Sequence, residues 1–139
     1  MCPENGKEIR EVIWGAFIIL IVDLLLQTVF RGGMIGLPNR GISFGLGQEM
    51  GLIISVFALV IFGVYLYRFR VKPTESAGKP GMTGLWIIFL GGVGNVVCRL
   101  IWGSVWDYIC LPFLPFCFNL SDVLISLGVV SYILRINGD

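Results

Sequence analysis

The sequence predicts an all-α integral membrane protein with four transmembrane helices. Three observations carry that expectation. Of the 139 residues, 56% are hydrophobic and only 14% charged, where a soluble domain carries about a quarter charged residues. Mean hydropathy is +0.88. The apolar residues also gather into four runs, each close to the roughly 20 residues a helix needs to cross the hydrocarbon core.

The first run extends from Val12 to Phe30 and is interrupted by Asp23 and Gln27. The residues before it are mixed in charge (Glu4, Lys7, Glu8, Arg10, Glu11) and no A-x-A site follows it, so it reads as a retained helix that also targets the chain. The second, Met50 to Tyr67, carries no charge. The third, Gly81 to Cys98, stops at Arg99, and the fourth runs from Asn119 to Leu134 with Asp122 near its start. Unpaired backbone groups are costly in lipid, so each run is expected to be helical. Gly91-Gly92-x-Gly94 is assigned to close helix packing. The length fits a single membrane-embedded domain spanning 1–139.

Basic residues orient the bundle. Lys7, Arg10, Arg68, Arg70, Lys72, Lys79 and Arg135 fall on one side, and Arg31, Arg40 and Arg99 on the other. Both termini and the polar linker 68–80 are therefore expected in the cytoplasm. The two long loops, 31–49 and 99–118, face outward, the second with Trp102, Trp106 and Tyr108 suited to the lipid–water interface.

The chain has no histidine. That excludes Ser-His-Asp and Cys-His catalysis and His-ligated metals, and leaves carboxylates as the obvious acid–base groups. A net charge of +1 gives no basic field for nucleic acid. Cys2, Cys98, Cys110 and Cys117 form no C-x-x-C pair. They read as small apolar fillers, with a disulfide among the last three as the alternative.

Ionisable residues inside membrane segments are costly and usually face a cavity or a partner. Asp23 lies roughly 16 Å along the first helix, with Gln27 one turn further on the same face. Asp107 follows the third helix and Asp122 opens the fourth, so both belong at the outer surface. Two carboxylates in one desolvated site do not ionise together easily, and such a pair can activate a water and protonate a departing amine. The plainer alternative is that Asp122 caps the fourth helix and Asp107 is solvated. Asn95 and Arg99 share a helix face at the same level; Asn119 precedes Asp122, and Asn39 lies in the first outer loop. Together they offer groups to orient an extended peptide.

Asn39-x-Gly41-x-x-Phe44, Gly94-Asn95-x-x-x-Arg99, Gly103-x-Val105-x-Asp107-Tyr108-Ile109 and Phe118-Asn119-x-x-Asp122, in that order after Asp23, resemble the motifs of bacterial lipoprotein signal peptidase (signal peptidase II). The resemblance covers most of the chain. It implies an aspartyl endopeptidase of the bacterial inner membrane that needs no metal or organic cofactor. Such an enzyme cuts prolipoproteins just before a cysteine carrying diacylglycerol. The implied catalytic residues are Asp107 and Asp122, supported by Asn39, Asn95, Arg99, Asn119 and Asp23. The implied partners are the lipid-modified precursors and membrane lipid, with no nucleic acid, and the implied state is a monomer. The resemblance also implies a small β-cradle in the first extracytoplasmic loop and a 103–112 segment that covers the site. Two positions depart from the family pattern: Gln27 stands where lysine is usual, and Cys98 where aspartate is usual. Both are expected to be support positions. Competing readings are a non-catalytic relative that binds lipoprotein precursors, and a small transporter subunit with Asp23 on an ion pathway.

Overall fold

The computed structural model describes residues 6–41, 50–71 and 82–136. Among the described residues there are four helices: α1 (Gly6–Gly32), α2 (Gly51–Val71), α3 (Met82–Trp102) and α4 (Leu120–Ile136). Three contain a stretch long and apolar enough to cross a membrane, at 9–32, 51–68 and 82–102, while the apolar part of α4, Leu120–Leu134, is shorter. α1 begins before the apolar run, taking in its charged leading residues. α3 continues past the expected stop at Arg99 to Trp102. The guanidinium does not end the helix because it is buried and donates to the carbonyl of Gly41 and, at 3.3 Å, to that of Asn95. The linker residues 72–81, the loop residues 42–49 with Phe44, and Cys2 lie outside the described residues.

α3 packs most extensively on α4, with α1 and α2 against its other flanks. Small residues set the α3–α4 distance. A Cβ at Gly84 would lie 2.6 Å from the Gly128 carbonyl, and one at Gly128 would lie 2.7 Å from the Gly84 carbonyl. Higher up, a Cβ at Gly91 would lie 2.6 Å from the carbonyl of Ser121. Lipid gives helices no hydrophobic drive to associate, so backbone-to-backbone contact of this kind supplies the van der Waals attraction. Leu85, Val96 and Leu124 fill the interior, whereas Trp14, Leu25, Val29, Phe57 and Ile133 point outward, as a lipid-facing surface requires.

Four short strands lie at one end of the bundle. β1 (Leu37–Asn39), from the loop after α1, pairs antiparallel with β2 (Val105–Asp107), which follows α3; Leu37 faces Asp107 and Asn39 faces Val105. The strand after α1 thus makes its sheet with the segment after α3. β3 (Ile109–Cys110) and β4 (Cys117–Phe118) form a hairpin whose register sets Cys110 opposite Cys117, and a disulfide joins them. The filler reading of these two cysteines is corrected, because the hairpin brings their Cα atoms to 4.3 Å. Cys98 is free and fully buried, as a filler would be.

Candidate active site

α4 begins at the site. Asn119 caps it, its side-chain Oδ1 accepting the Asp122 amide at 3.0 Å while Asp122 Oδ2 faces the Asn119 amide at 3.4 Å. This is the reciprocal logic of a capping box, with aspartate in the glutamate position. The capping role expected of Asp122 as an alternative is therefore present, but Asn119 does more than cap. Its Nδ2 donates to Asp107 Oδ1 at 2.8 Å, so one fully buried asparagine holds both acids.

Each acid has a second amide. Asn39 Nδ2, on the strand paired with β2, donates to Asp107 Oδ2 at 3.0 Å, and Asn95 Nδ2, on α3, donates to Asp122 Oδ1 at 2.8 Å. Both carboxylates line one cleft of about 490 Å³ whose walls are mostly apolar, with Phe116, Val123 and Val130 among them. A second cleft of about 240 Å³, toward α2, is lined by Leu59, Phe62, Asn95 and Arg99 and also reaches Asp122.

Asp107 is 4% exposed, not solvated. Burial pushes its carboxyl up to about 6; the hydrogen bond from Asn119 opposes that, the Asp122 charge adds to it, and Asn39 and Arg99 pull it back. Asp122 sits in the first turn of α4, its carboxylate accepting from Asn95 Nδ2 and facing the Asn119 amide. Burial thus favours a proton on Asp107.

Asp23 belongs to a neighbouring cluster behind the cleft. It is fully buried and accepts five hydrogen bonds among the described residues. They come from Gln27 Nε2 (2.9 Å), Tyr108 OH (2.7 Å), the Leu120 and Ser121 amides (3.1 and 3.2 Å) and Ser121 Oγ (2.5 Å). The two amides are orphan donors of the first turn of α4. The carboxylate thus ties the centre of α1 to the helix that carries Asp122, and its charge is met by the helix N-terminus and by hydroxyls.

That cluster explains Gln27. Its Nε2 serves Asp23 while its Oε1 accepts the buried Trp106 amide at 2.9 Å, linking α1 to β2. A lysine would supply the donor and a charge but no acceptor. Gln27→Lys should therefore cost about 1–3 kcal/mol of stability for the orphaned amide, less what the new ion pair returns, seen as a lower thermal midpoint, and keep turnover within about tenfold of wild type. Gln27→Met, which loses both bonds, should be worse on both measures. A lysine variant as stable as wild type would remove the linking role.

Several of these contacts are not legible in the sequence. Trp106 and Tyr108 were expected at the lipid interface. Instead Trp106 is buried with its indole N–H on the Ile35 carbonyl at 2.7 Å, and Tyr108 stacks on Phe30 at 5.0 Å while its hydroxyl serves Asp23. Burial and then the Asp23 carboxylate raise the Tyr108 hydroxyl above its ordinary range, which keeps it a donor. Arg31 donates to Ser104 Oγ and to the Ser104 carbonyl and lies 5.1 Å from the Trp102 and Trp106 rings, fastening the segment after α3. Ser121 stands beside Asp122 in sequence, and only the packing of α1 reveals its use. At Gly36, whose φ is +107°, a Cβ would lie 2.9 Å from Tyr108 Cα, so the entry to β1 tolerates no side chain.

Among the described residues no group of three or more His, Cys, Asp or Glu could hold a metal ion. Among the described residues the buried polar side chains gather toward the strand end of the bundle, apart from Thr83. An ion pathway needs such groups through the full depth.

Apolar helices with two amide-held aspartates at a cleft define a multi-pass membrane protein with a carboxylate site. The chain belongs to the signal peptidase II family, whose model matches residues 15–137. It is 28% identical over 135 residues to a protein of Chlamydia trachomatis named lipoprotein signal peptidase, covering 94% of this chain and 71% of that one. A protein of Fusobacterium nucleatum with the same name is 34% identical over 100 residues, covering 70% of this chain and 59% of that one. The fold matches a solved bacterial membrane enzyme, determined by the in meso method at 2.3 Å, with a TM-score of 0.79 and 21% identity over 100% of this chain and 93% of that one.

Proposed function

We propose that this chain is an aspartyl endopeptidase that removes signal peptides from diacylglyceryl-modified prolipoproteins, with Asp107 and Asp122 as its catalytic pair. The observation that carries the reading is the bridge made by Asn119, whose side chain donates to the Asp107 carboxylate and whose backbone amide faces the Asp122 carboxylate, with both acids at the wall of one apolar cleft. The family and the names of its relatives supply the substrate class. Asn39, Asn95 and Arg99 support the pair, and Asp23 positions it. The single domain 1–139 spans the bacterial inner membrane four times, as a monomer with both termini inside and the site near the outer face. The uneven distribution of basic residues supports that orientation.

In this mechanism ionised Asp122 takes a proton from a water as its oxygen attacks the carbonyl carbon before the lipid-bearing cysteine. Protonated Asp107 gives its proton to the carbonyl oxygen. On collapse the C–N bond breaks, Asp122 passes its proton to the departing amine, and Asp107 recovers its own. The amides of Asn39, Asn95 and Asn119 keep the two carboxylates aimed throughout. No protein nucleophile is acylated.

The test is cleavage by the purified chain of a diacylglyceryl-modified precursor and of its unmodified counterpart. Cleavage of the modified precursor alone is expected, and no cleavage of either would overturn the reading. The pH profile adds a second check. The active form holds one proton on the pair, and Asp107 loses its proton at about 6. kcat/KM, which reports the free enzyme, should therefore fall as pH rises through about 6. The limb in kcat should lie higher, because bound lipid excludes water and disfavours the second charge. A kcat/KM that instead climbs through that range would reverse the assignment of the proton to Asp107.

A further inference from the structure

We propose that Cys110 and Cys117 are positioning residues for the peptidase reaction, their disulfide stapling the hairpin that connects Asp107 to Asp122. The inference rests on the aspartyl reading above. β3 starts two residues after Asp107, and β4 ends one residue before Asn119. The hairpin is thus the covalent link between the two acids, and the disulfide closes it across a separation of 7 residues.

Little else holds it shut. Each strand is two residues long, and a two-stranded hairpin of that size is marginal in isolation. The tip is tied only lightly: the Leu114 amide donates to the Leu111 carbonyl at 3.0 Å and both leucines are half-buried, while Phe113 is 78% exposed and Pro112 and Pro115 are exposed beside it. The base is held by the Asp23 cluster through Tyr108 and Leu120; the disulfide secures the next rung outward. It also bears on the cleft directly, since Phe116, Cys117 and Phe118 form part of its wall. A cross-link of this kind removes open conformations from the chain. With the staple cut, the wall by Phe116–Phe118 loosens and water reaches Asp107.

Cys110 is exposed, so a dithiol can reach it. A dithiol thiolate attacks the Cys110 sulfur and displaces the Cys117 thiolate, which takes a proton. The second thiol of the reagent then closes a cyclic disulfide and releases Cys110 as a thiol. Two electrons and two protons pass to the protein. Cys98 takes no part, being buried and unpaired.

The experiment measures cleavage of the diacylglyceryl-modified precursor by the full chain in detergent. The chain is assayed oxidised, then reduced by a dithiol until two further thiols per chain can be labelled, then reoxidised. Displacing reacting groups by about an ångström costs on the order of a hundredfold in rate. Reduction should accordingly lower kcat by about tenfold to a hundredfold while KM moves less than about threefold, and reoxidation should restore it. The kcat/KM limb should shift to lower pH as Asp107 becomes hydrated, a change that a purely structural staple would not cause. The double variant Cys110→Ser/Cys117→Ser should behave like the reduced chain and ignore the dithiol; should it fail to fold, the reduced wild type carries the test alone. Full reduction that leaves kcat within about twofold and the pH limb in place overturns the proposal. An oxidised chain that cleaves nothing overturns the peptidase reading beneath it.

Discussion

Asp107→Asn and Asp122→Asn should each reduce cleavage of a diacylglyceryl-modified precursor by roughly a thousandfold or more. An amide can neither take the proton of the attacking water nor supply one to the substrate. Asparagine is nearly isosteric with aspartate, and the amides around each acid come from separate elements: Asn39 from β1, Asn95 from α3 and Asn119 at the start of α4. Removing one acid therefore leaves the frame in place, and insertion and folding should survive. The Asp122 charge helps raise the Asp107 carboxyl, so in Asp122→Asn that carboxyl should titrate below about 6. Because the pair acts as a unit, the double variant should be little worse than either single one. Precursor binding should persist in all three, since most of the cleft wall is apolar. Turnover near wild type in either single variant would eliminate the aspartyl mechanism, whatever the family of the chain.

The second large effect is expected at Asp23, a residue outside the cleft. Asp23→Leu withdraws acceptors from the Leu120 and Ser121 amides, from two hydroxyls and from Gln27, all at the junction of α1, β2 and α4. Buried donors without partners cost about 1–3 kcal/mol each. With some relaxation the total should be roughly 3–5 kcal/mol, enough to lower the thermal midpoint in detergent visibly and to abolish turnover. Asp23→Asn separates positioning from stability. It keeps one acceptor oxygen, but its new N–H₂ group faces donors. It should lose tenfold or more in kcat with KM and helical content close to wild type. Wild-type turnover and midpoint in Asp23→Leu would show that α4 is held by its packing on α3 alone.

Much of this molecule was legible in the amino-acid sequence. The four apolar runs became the four helices, with ends shifted by one to six residues. Arg99 is the clearest case: read as a stop, it lies inside α3 because the Gly41 carbonyl receives it. Asp107, Asp122, Asn39, Asn95 and Asn119 are all legible as candidates, and the fold joins them in one hydrogen-bonded group, with Asn39, Asp107 and Asp122 on the wall of one cleft. Less legible were the roles of neighbours. A tyrosine in a membrane protein reads as an interface residue, and nothing local says that Tyr108 donates to a carboxylate 85 positions earlier. Nor does spacing alone choose a disulfide between Cys110 and Cys117 over other pairings. The choice follows from the register of the β3–β4 hairpin, which sets Cys110 opposite Cys117.

The membrane class, the helical segments and the absence of histidine chemistry follow from the sequence by itself, as properties of composition and of local periodicity. The choice of Asp107 and Asp122 as the acids comes instead from the resemblance of their motifs to those of a known family. Tertiary structure alone decided that Asp23 stands behind the cleft, that Gln27 is an acceptor for β2 as well as a donor, and that Asn119 joins the two acids. Those facts depend on contacts between elements far apart in the chain. In a low-dielectric interior a buried polar group must find its partner wherever the packing of helices puts one, and sequence spacing does not encode that distance.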